Sequence, residues 1–100
     1  MAAYVINDME VLDPQGLEDY KKLSPQTVAQ YGGKFLARGG QLKKLEGDWQ
    51  PKRLVILEFP SMEQAKAFWD SPEYAAAKAL RMATTTSEMV LLEGLAEQPG

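Results

Sequence analysis

The chain has 100 residues, of which 45% are hydrophobic and 25% are charged, and its net charge is −3. These values are typical of one folded globular domain and exclude the composition of a disordered chain. The acidic balance and the scattered Lys and Arg residues argue against a nucleic-acid partner, because neutralising phosphates needs clustered positive charge.

The sequence contains no histidine and no cysteine. Disulfides, thiol chemistry, zinc sites built from these residues, histidine acid–base catalysis and histidine-ligated haem are therefore excluded. No clustered acidic motif predicts a metal site, and we expect the protein to work without a cofactor. Neither a membrane-spanning run nor a signal peptide is recognisable, so we expect a cytoplasmic protein with no membrane partner.

The first predicted element is a strand over residues 4–11, whose pattern leaves open whether Asn7 or Asp8 faces inward. Asp13 suits a helix N-cap and Pro14 the first helical position, because proline lacks only a donor that would be unpaired there. The apolar face of this helix then recurs at steps of three and four residues, at Leu17, Tyr20, Leu23, Thr27, Val28 and Tyr31.

Proline and glycine divide the next part of the chain. Ser24-Pro25 repeats the cap signal, which allows a kink or a restart inside the helix, and Gly32-Gly33 ends it. Residues 34–38 are predicted to form a short strand that Gly39-Gly40 breaks or bulges. Residues 41–45 can resume pairing before a turn-rich segment over residues 46–51.

The clearest predicted strand covers residues 53–59, and it is apolar on both sides over most of its length. Its two alternating faces carry Val55, Leu57 and Phe59 on one side, and Leu54, Ile56 and Glu58 on the other. Pro60 ends the strand. Ser61 and Gln64 then form the spacing of a capping box at the start of the next helix.

Two helices and a last strand complete the chain. Ala65, Phe68 and Trp69 give the first of these helices a core-facing stripe. Ser71-Pro72 starts a further short helix, for which the predicted apolar side carries Ala76, Ala79, Leu80 and Ala83. The last strand is predicted over residues 87–94, and residues 96–100 are predicted to form a flexible C-terminal tail after a single domain of residues 1–95.

The order of elements is therefore β-α-β-β-α-(α)-β, the split βαβ pattern of α+β, ferredoxin-like folds. In that layout both helices cover one face of a four-stranded antiparallel sheet, and a wet opposite face should alternate to polar residues. The third and fourth strands do not alternate in this way. We therefore predict that a second copy of the chain covers the open face in a homodimer of the dimeric α/β-barrel kind.

Four stretches also match a known family: residues 31–40 (YGGKFLARGG), 45–53 (LEGDWQPKR), 58–61 (EFPS) and 71–74 (SPEY). On these stretches, and over nearly its whole length, the chain resembles the bacterial domain-of-unknown-function family 1330 of the dimeric α/β-barrel superfamily. The resemblance implies a ferredoxin-like protomer and a two-fold dimer. It implies no reaction, and kinship of fold with cofactor-free monooxygenases is an analogy only.

Side chains alternate between the two faces of a strand. By this alternation Arg38 shares a face with the apolar Leu36, and Glu58 shares a face with the apolar Ile56. If those neighbours face the barrel interior, both charges are half-buried and should pair or bind a polar group. The plainer interpretation is a structural ion pair. The functional one makes Arg38 a substrate-binding residue and Glu58 a catalytic base.

Further candidate substrate-binding residues are Glu46, Trp49 and Arg53, in and beside the loop before the third strand, and Tyr31 at the end of the first helix. The leading hypothesis is a homodimer that binds or converts a small organic molecule in a cavity beside the sheet. Any chemistry would be cofactor-free proton transfer, isomerisation or oxygenation. The alternative is a non-catalytic structural or interaction module whose polar residues only stabilise the dimer.

Overall fold

The computed structural model describes residues 1–95, which form four strands and three helices. Their order is β1 (Ala3–Val11), α1 (Pro14–Gln30), β2 (Lys34–Arg38), β3 (Leu54–Phe59), α2 (Met62–Asp70), α3 (Pro72–Thr84) and β4 (Thr85–Glu93). The tail predicted over residues 96–100 lies outside the described residues. Within them, no helix is long and apolar enough to cross a membrane.

The strands form one sheet in the order β2-β3-β1-β4, and every neighbouring pair is antiparallel. This arrangement confirms the predicted α+β, ferredoxin-like fold. On β1 burial alternates along the strand, so that Val5, Asn7 and Met9 are buried against the helices while Ile6 and Asp8 lie on the other side. The sequence left open which of these two residues faces the core, and the structure decides it: Asn7 faces inward and Asp8 faces outward.

The hydrophobic core lies between the helices and this inner face of the sheet. Its buried members are Ala3, Val5, Met9, Leu17, Val28, Val55, Leu57, Phe59, Ala65, Phe68, Tyr74 and Ala77. The opposite side, here called the open face, carries Tyr4, Ile6, Asp8, Leu54, Ile56, Glu58, Val90 and Leu92. Within the described chain the open face has no helix over it, and Val90 and Leu92 are 61% and 54% exposed.

The predicted helix caps are confirmed. Asp13 accepts a hydrogen bond from the backbone N–H of Gly16 at 3.2 Å, and Ser61 accepts one from Gln64 at 3.1 Å. Ser71 caps α3 by accepting from Tyr74 at 3.1 Å, and its hydroxyl also donates to the carbonyl of Phe68 at 2.8 Å. Ser71 therefore joins the end of α2 to the start of α3.

The structure corrects four predictions about the helices. α1 runs through Pro25 without a restart. α3 has 13 residues rather than being short, and its buried side carries Tyr74, Ala77, Arg81 and Thr84 instead of the predicted alanine side. Trp69, predicted to be core, is 39% exposed. In an alanine-rich helix several faces are nearly equal in apolarity, so the packing of Tyr74 selects the buried one.

β2 has the predicted bounds, but a β-bulge within it changes the face of the sheet on which Arg38 lies. Phe35 pairs with Leu57, but the register then shifts and Ala37 pairs with Ile56. The extra residue turns the following side chain to the other face of the sheet, so Arg38 pairs with Val55 on the inner face.

Residues 41–45 do not resume pairing and belong to a long loop between β2 and β3. β4 also begins two residues earlier than predicted, at Thr85.

Candidate functional site

A small cavity of about 30 Å³ lies between the inner face of the sheet and helices α1 and α3. We call it the inter-layer cavity. Core side chains form most of its wall, and the polar or charged residues that line it are Asn7, Tyr20, Lys21, Arg38, Arg53 and Tyr74. An apolar space into which a few polar groups converge is the usual form of a small-molecule site.

Asn7 is a buried polar residue of this wall. It is 4% exposed, and its Oδ1 atom has no hydrogen-bond partner in the described structure. Nearly all buried polar side-chain atoms in proteins have a partner, and an unpaired one costs about 1–3 kcal/mol. The unpaired amide oxygen therefore marks a place for a donor from a bound molecule or water.

Two phenols that line the same cavity are in contact. The hydroxyl oxygens of Tyr20 and Tyr74 lie 2.9 Å apart, and Nε of Arg81 donates to the Tyr74 hydroxyl at 3.3 Å. Burial raises the pKa of Tyr20 and the neighbouring Tyr74 raises it further, while the positive charge of Arg81 opposes both effects. The Tyr20 hydroxyl therefore keeps its proton at neutral pH and does not act as a base.

Two guanidinium groups line the same cavity. The Cζ atom of Arg38 lies 4.4 Å from the centre of the Phe35 ring, on which the guanidinium stacks. Arg53 approaches the sulfur of Met9 at 3.9 Å. Neither arginine forms a salt bridge within residues 1–95, where the three ion pairs all involve lysine. Both are therefore available to an anion at the cavity.

Gly39 explains how Arg53 reaches this position. It has a φ of +68°, and a Cβ built on it would lie 2.6 Å from Nε of Arg53. The close approach of the guanidinium thus depends on the absence of a side chain at residue 39. As predicted, the strand breaks at this glycine, which also makes room for a cavity residue.

The prediction that Arg38 and Glu58 lie on the same face of the sheet is wrong, because the bulge in β2 puts the two residues on opposite faces. Glu58 lies on the open face, where Lys34 is its partner at 3.4 Å. Lys34 pairs with Glu58 across the two strands, so the ion pair is a cross-strand contact. A catalytic role for Glu58 stays a prediction, and its position separates it from the inter-layer cavity.

Trp49 and Glu46 lie on the long β2–β3 loop, away from the inter-layer cavity. Both line a groove within this loop together with Leu54 of the open face. The indole nitrogen of Trp49 donates to Oδ2 of Asp8 at 3.2 Å, and the backbone N–H of Lys52 donates to Oδ1 of the same carboxylate at 3.0 Å. The predicted set of site residues is thus divided, with only Arg38 and Arg53 at the cavity.

Tyr31 has a third location, at the junction of α1 and α3. Its hydroxyl donates to Oε2 of Glu73 at 2.8 Å. This hydrogen bond lowers the pKa of Glu73 and raises the pKa of Tyr31. The contact fixes the end of one helix to the start of another, and it does not involve the cavity.

Sequence reasoning assigned no site role to Asn7, Tyr20 or Arg81. Two signals were present: Asn7 alternates with Val5 and Met9 on one side of a strand, and Tyr20 belongs to the apolar face of α1. Arg81 shows no such signal, because an arginine in a helix is normally solvated. Among the described residues there is no cluster of three or more Asp and Glu side chains that could hold a metal ion.

A family model places the chain among known sequences. The model named "Domain of unknown function (DUF1330)" matches residues 2–95. The chain belongs to this family. The match covers every strand and helix described above, which confirms the resemblance seen in the sequence. A search of the curated proteins finds no match.

Solved structures share the fold of this family member at low sequence identity. A protein of unknown function from Rhodopseudomonas palustris is 21% identical, with a TM-score of 0.76 over 96% of this chain and 84% of that one. SnoaB, a cofactor-independent oxygenase from Streptomyces nogalater, is 16% identical, with a TM-score of 0.65 over 99% and 98%. A dimeric protein of unknown function from Bacteroides fragilis, described as ferredoxin-like, is 16% identical, with a TM-score of 0.61 over 93% and 96%. At these identities the likeness establishes the fold alone.

Proposed function

We propose that this protein binds a small organic molecule that carries a carboxylate, and that the molecule occupies the inter-layer cavity. The observation that carries the proposal is the convergence of two arginines without carboxylate partners and one unpaired buried amide oxygen on the same apolar space. Guanidinium groups bind carboxylates through paired, charge-assisted hydrogen bonds. Arg38 and Arg53 therefore hold the carboxylate at the mouth.

The polar groups inside the cavity determine which chemical group the other end of the ligand should carry. Oδ1 of Asn7 has no partner and accepts hydrogen bonds, so a hydroxyl group on the ligand that donates to it satisfies the amide oxygen. A ligand without such a donor leaves the amide oxygen unpaired and forfeits that stabilisation. The best candidates are therefore hydroxy acids with a compact apolar body.

The mouth must open to admit such a molecule. A cavity of about 30 Å³ holds only a few water molecules by the usual measure. Arg38 is exposed and Lys21 is half-buried, so these two side chains can move outward without disturbing the core. Binding then closes the guanidinium groups over the carboxylate, which excludes water from the site.

We also propose that two copies of the chain associate through their open faces. The described structure leaves Ile6, Ile56, Val90 and Leu92 on a sheet surface without a covering layer. The Bacteroides fragilis protein with the same fold is described as dimeric. Because the inter-layer cavity lies on the opposite side of the sheet, each copy carries a complete cavity.

The test is a thermal-shift screen with short hydroxy acids and their amides. A ligand at about 100 times its Kd adds about 2.7 kcal/mol of stability. We expect hydroxy acids to stabilise the protein and the uncharged amides not to. Arg38→Ala and Arg53→Ala should abolish the shift, whereas Lys22→Ala, which removes a charge from the exposed side of α1, should not.

Two results decide between this function and the structural alternative. Loss of ligand stabilisation in Arg38→Ala with an unchanged sedimentation coefficient supports a binding site. Dissociation of the dimer in Arg38→Ala, together with no response of the unmodified protein to any acid tested, overturns the proposal in favour of a structural module.

A further inference from the structure

We propose a second binding site, for an amphipathic carboxylate with an unbranched alkyl chain, in a groove where α2 and α3 meet the edge strand β4. The groove has a volume of about 500 Å³. We call it the edge groove. This volume is in the range of small-molecule sites. The proposal does not depend on the function proposed for the inter-layer cavity.

A buried arginine is the first observation. Arg81 lines the edge groove and is 3% exposed. Within residues 1–95 its guanidinium makes one hydrogen bond, from Nε to the hydroxyl of Tyr74, and it forms no salt bridge. Burying a positive charge without a counter-charge is costly, so buried arginines normally face an anion. The described structure provides none.

The walls of the edge groove are the second observation. They are apolar, and the larger side chains that form them are Met62, Trp69, Met82, Met89 and Leu91. Methionine side chains are flexible and adapt to the shape of an alkyl chain. Trp69 and Met82, which are 39% and 57% exposed, leave apolar surface at the groove unburied. An occupant with an apolar body would bury this surface.

The charged residues that line the groove determine which head group the bound molecule should carry. Lys66 is the other charged residue that lines the groove, and no acidic side chain of the described chain does so. Two cations and no anion favour a negatively charged head group, which Arg81 holds inside and Lys66 meets at the rim. A cationic or neutral amphiphile has no partner for its head group here.

The edge groove is separate from the inter-layer cavity, although Val5 and Met89 line both. The cavity is reached past Arg38 and Arg53 at the β2–β3 side of the sheet. The groove opens at β4, which is the opposite edge of the sheet. Substitutions at the two mouths can therefore be tested independently.

The experiment uses octanoate as the probe and octanol as its uncharged counterpart. The protein contains two tryptophans, so a Trp49→Phe background leaves Trp69 as the only indole and places the fluorescent reporter in the groove wall. We expect saturable changes in Trp69 emission with octanoate. We expect octanol to bind roughly tenfold more weakly or worse, because a charged head group adds a charge-assisted hydrogen bond.

Matched variants test the head-group contacts. Lys66→Gln should weaken octanoate binding several-fold and leave octanol binding unchanged, and Lys22→Gln, the same change on α1, should affect neither. Arg81→Gln should weaken octanoate roughly tenfold or more if the variant folds. Met82→Glu, at an exposed position, places a carboxylate at the groove and should also exclude octanoate.

Three outcomes overturn the proposal: no saturable octanoate binding, equal affinities for octanoate and octanol, or Lys66→Gln behaving like Lys22→Gln. Arg38→Ala separates this site from the inter-layer cavity. Unchanged octanoate binding in Arg38→Ala supports the edge groove. Loss of octanoate binding in Arg38→Ala would show that octanoate binds in the inter-layer cavity. That result would refute the second site and would leave the function proposed for the inter-layer cavity unaffected.

Discussion

The indole nitrogen of Trp49 donates a hydrogen bond of 3.2 Å to the carboxylate of Asp8, a residue of β1 on the open face. The same carboxylate accepts from the backbone N–H of Lys52 at 3.0 Å. Asp8 thereby holds the end of the long β2–β3 loop against the sheet. The contact brings Trp49, itself 62% exposed, to the edge of the surface that we propose a second copy covers.

Replacing Trp49 with Phe should loosen this loop without unfolding the domain. The variant keeps an aromatic ring but loses the indole donor, and an exposed hydrogen bond contributes about 0.5–1.5 kcal/mol. We expect faster hydrogen exchange at the Lys52 amide and little change in the midpoint of thermal unfolding. Trp69→Phe is the control. Equal exchange at Lys52 in both variants would contradict the role of the Trp49–Asp8 contact.

Asn7→Leu should stabilise the protein and abolish binding in the inter-layer cavity. The substitution removes an unpaired buried amide oxygen from apolar surroundings, and we expect a gain of about 1–3 kcal/mol in the free energy of unfolding. Chemical denaturation measures the gain, and the thermal-shift screen measures the loss of ligand response. Asn7→Asp should instead destabilise the fold, because it buries a charge. A destabilised Asn7→Leu variant would show that the amide is structural.

Gly33→Ala should be destabilising, whereas Gly40→Ala should not. A Cβ at residue 33 would lie 2.5 Å from the ring of the buried Phe59, and one at residue 40 has nothing within 4 Å. Overpacking of this kind costs about 1–3 kcal/mol. Denaturant midpoints of the two variants check the difference. Equal midpoints would mean that the Phe59 ring has room to shift.

Tyr31→Phe should raise the pKa of Glu73 toward its ordinary value near 4.5, because the hydrogen bond from Tyr31 is the largest of the effects that lower it. A carboxyl group whose pKa is lowered by folding stabilises the native state above its unfolded pKa, and this contribution is lost as the pH falls through the folded pKa. The stability of Tyr31→Phe should therefore change less between neutral and acidic pH. Carboxyl NMR titration checks the pKa. An unchanged Glu73 titration in Tyr31→Phe would assign the shift to another group.

Ile56→Lys should dissociate the homodimer. Ile56 lies in the middle of the open face, paired with Ile6 on β1, and a lysine there would bury a charge in the interface. Sedimentation at micromolar concentration should show dimers of the unmodified protein and monomers of the variant. Leu23→Lys, which replaces an exposed leucine on α1, should remain dimeric. A monomeric unmodified protein would refute the proposed association.

Local signals determined most of the fold. The caps at Asp13, Ser61 and Ser71 and the alternation along β3 depend on residues close together in sequence. Their geometry is set within a few residues, so the order of elements and the ferredoxin-like topology follow from them. Apolar residues on both sides of β3 likewise indicated, from the sequence alone, a sheet whose second face needs a cover.

Only the tertiary structure decided which residues belong to each candidate site. A single extra residue in β2 moved Arg38 to the inner face, and alternation in sequence contains no mark of a bulge. Arg81 is buried because α3 packs through Tyr74, a choice among nearly equivalent faces of an alanine-rich helix. Tyr20 and Tyr74 are 54 residues apart in the chain, and their 2.9 Å contact exists because two helices pack on the same sheet. Such contacts depend on packing between distant segments, which local patterns do not specify.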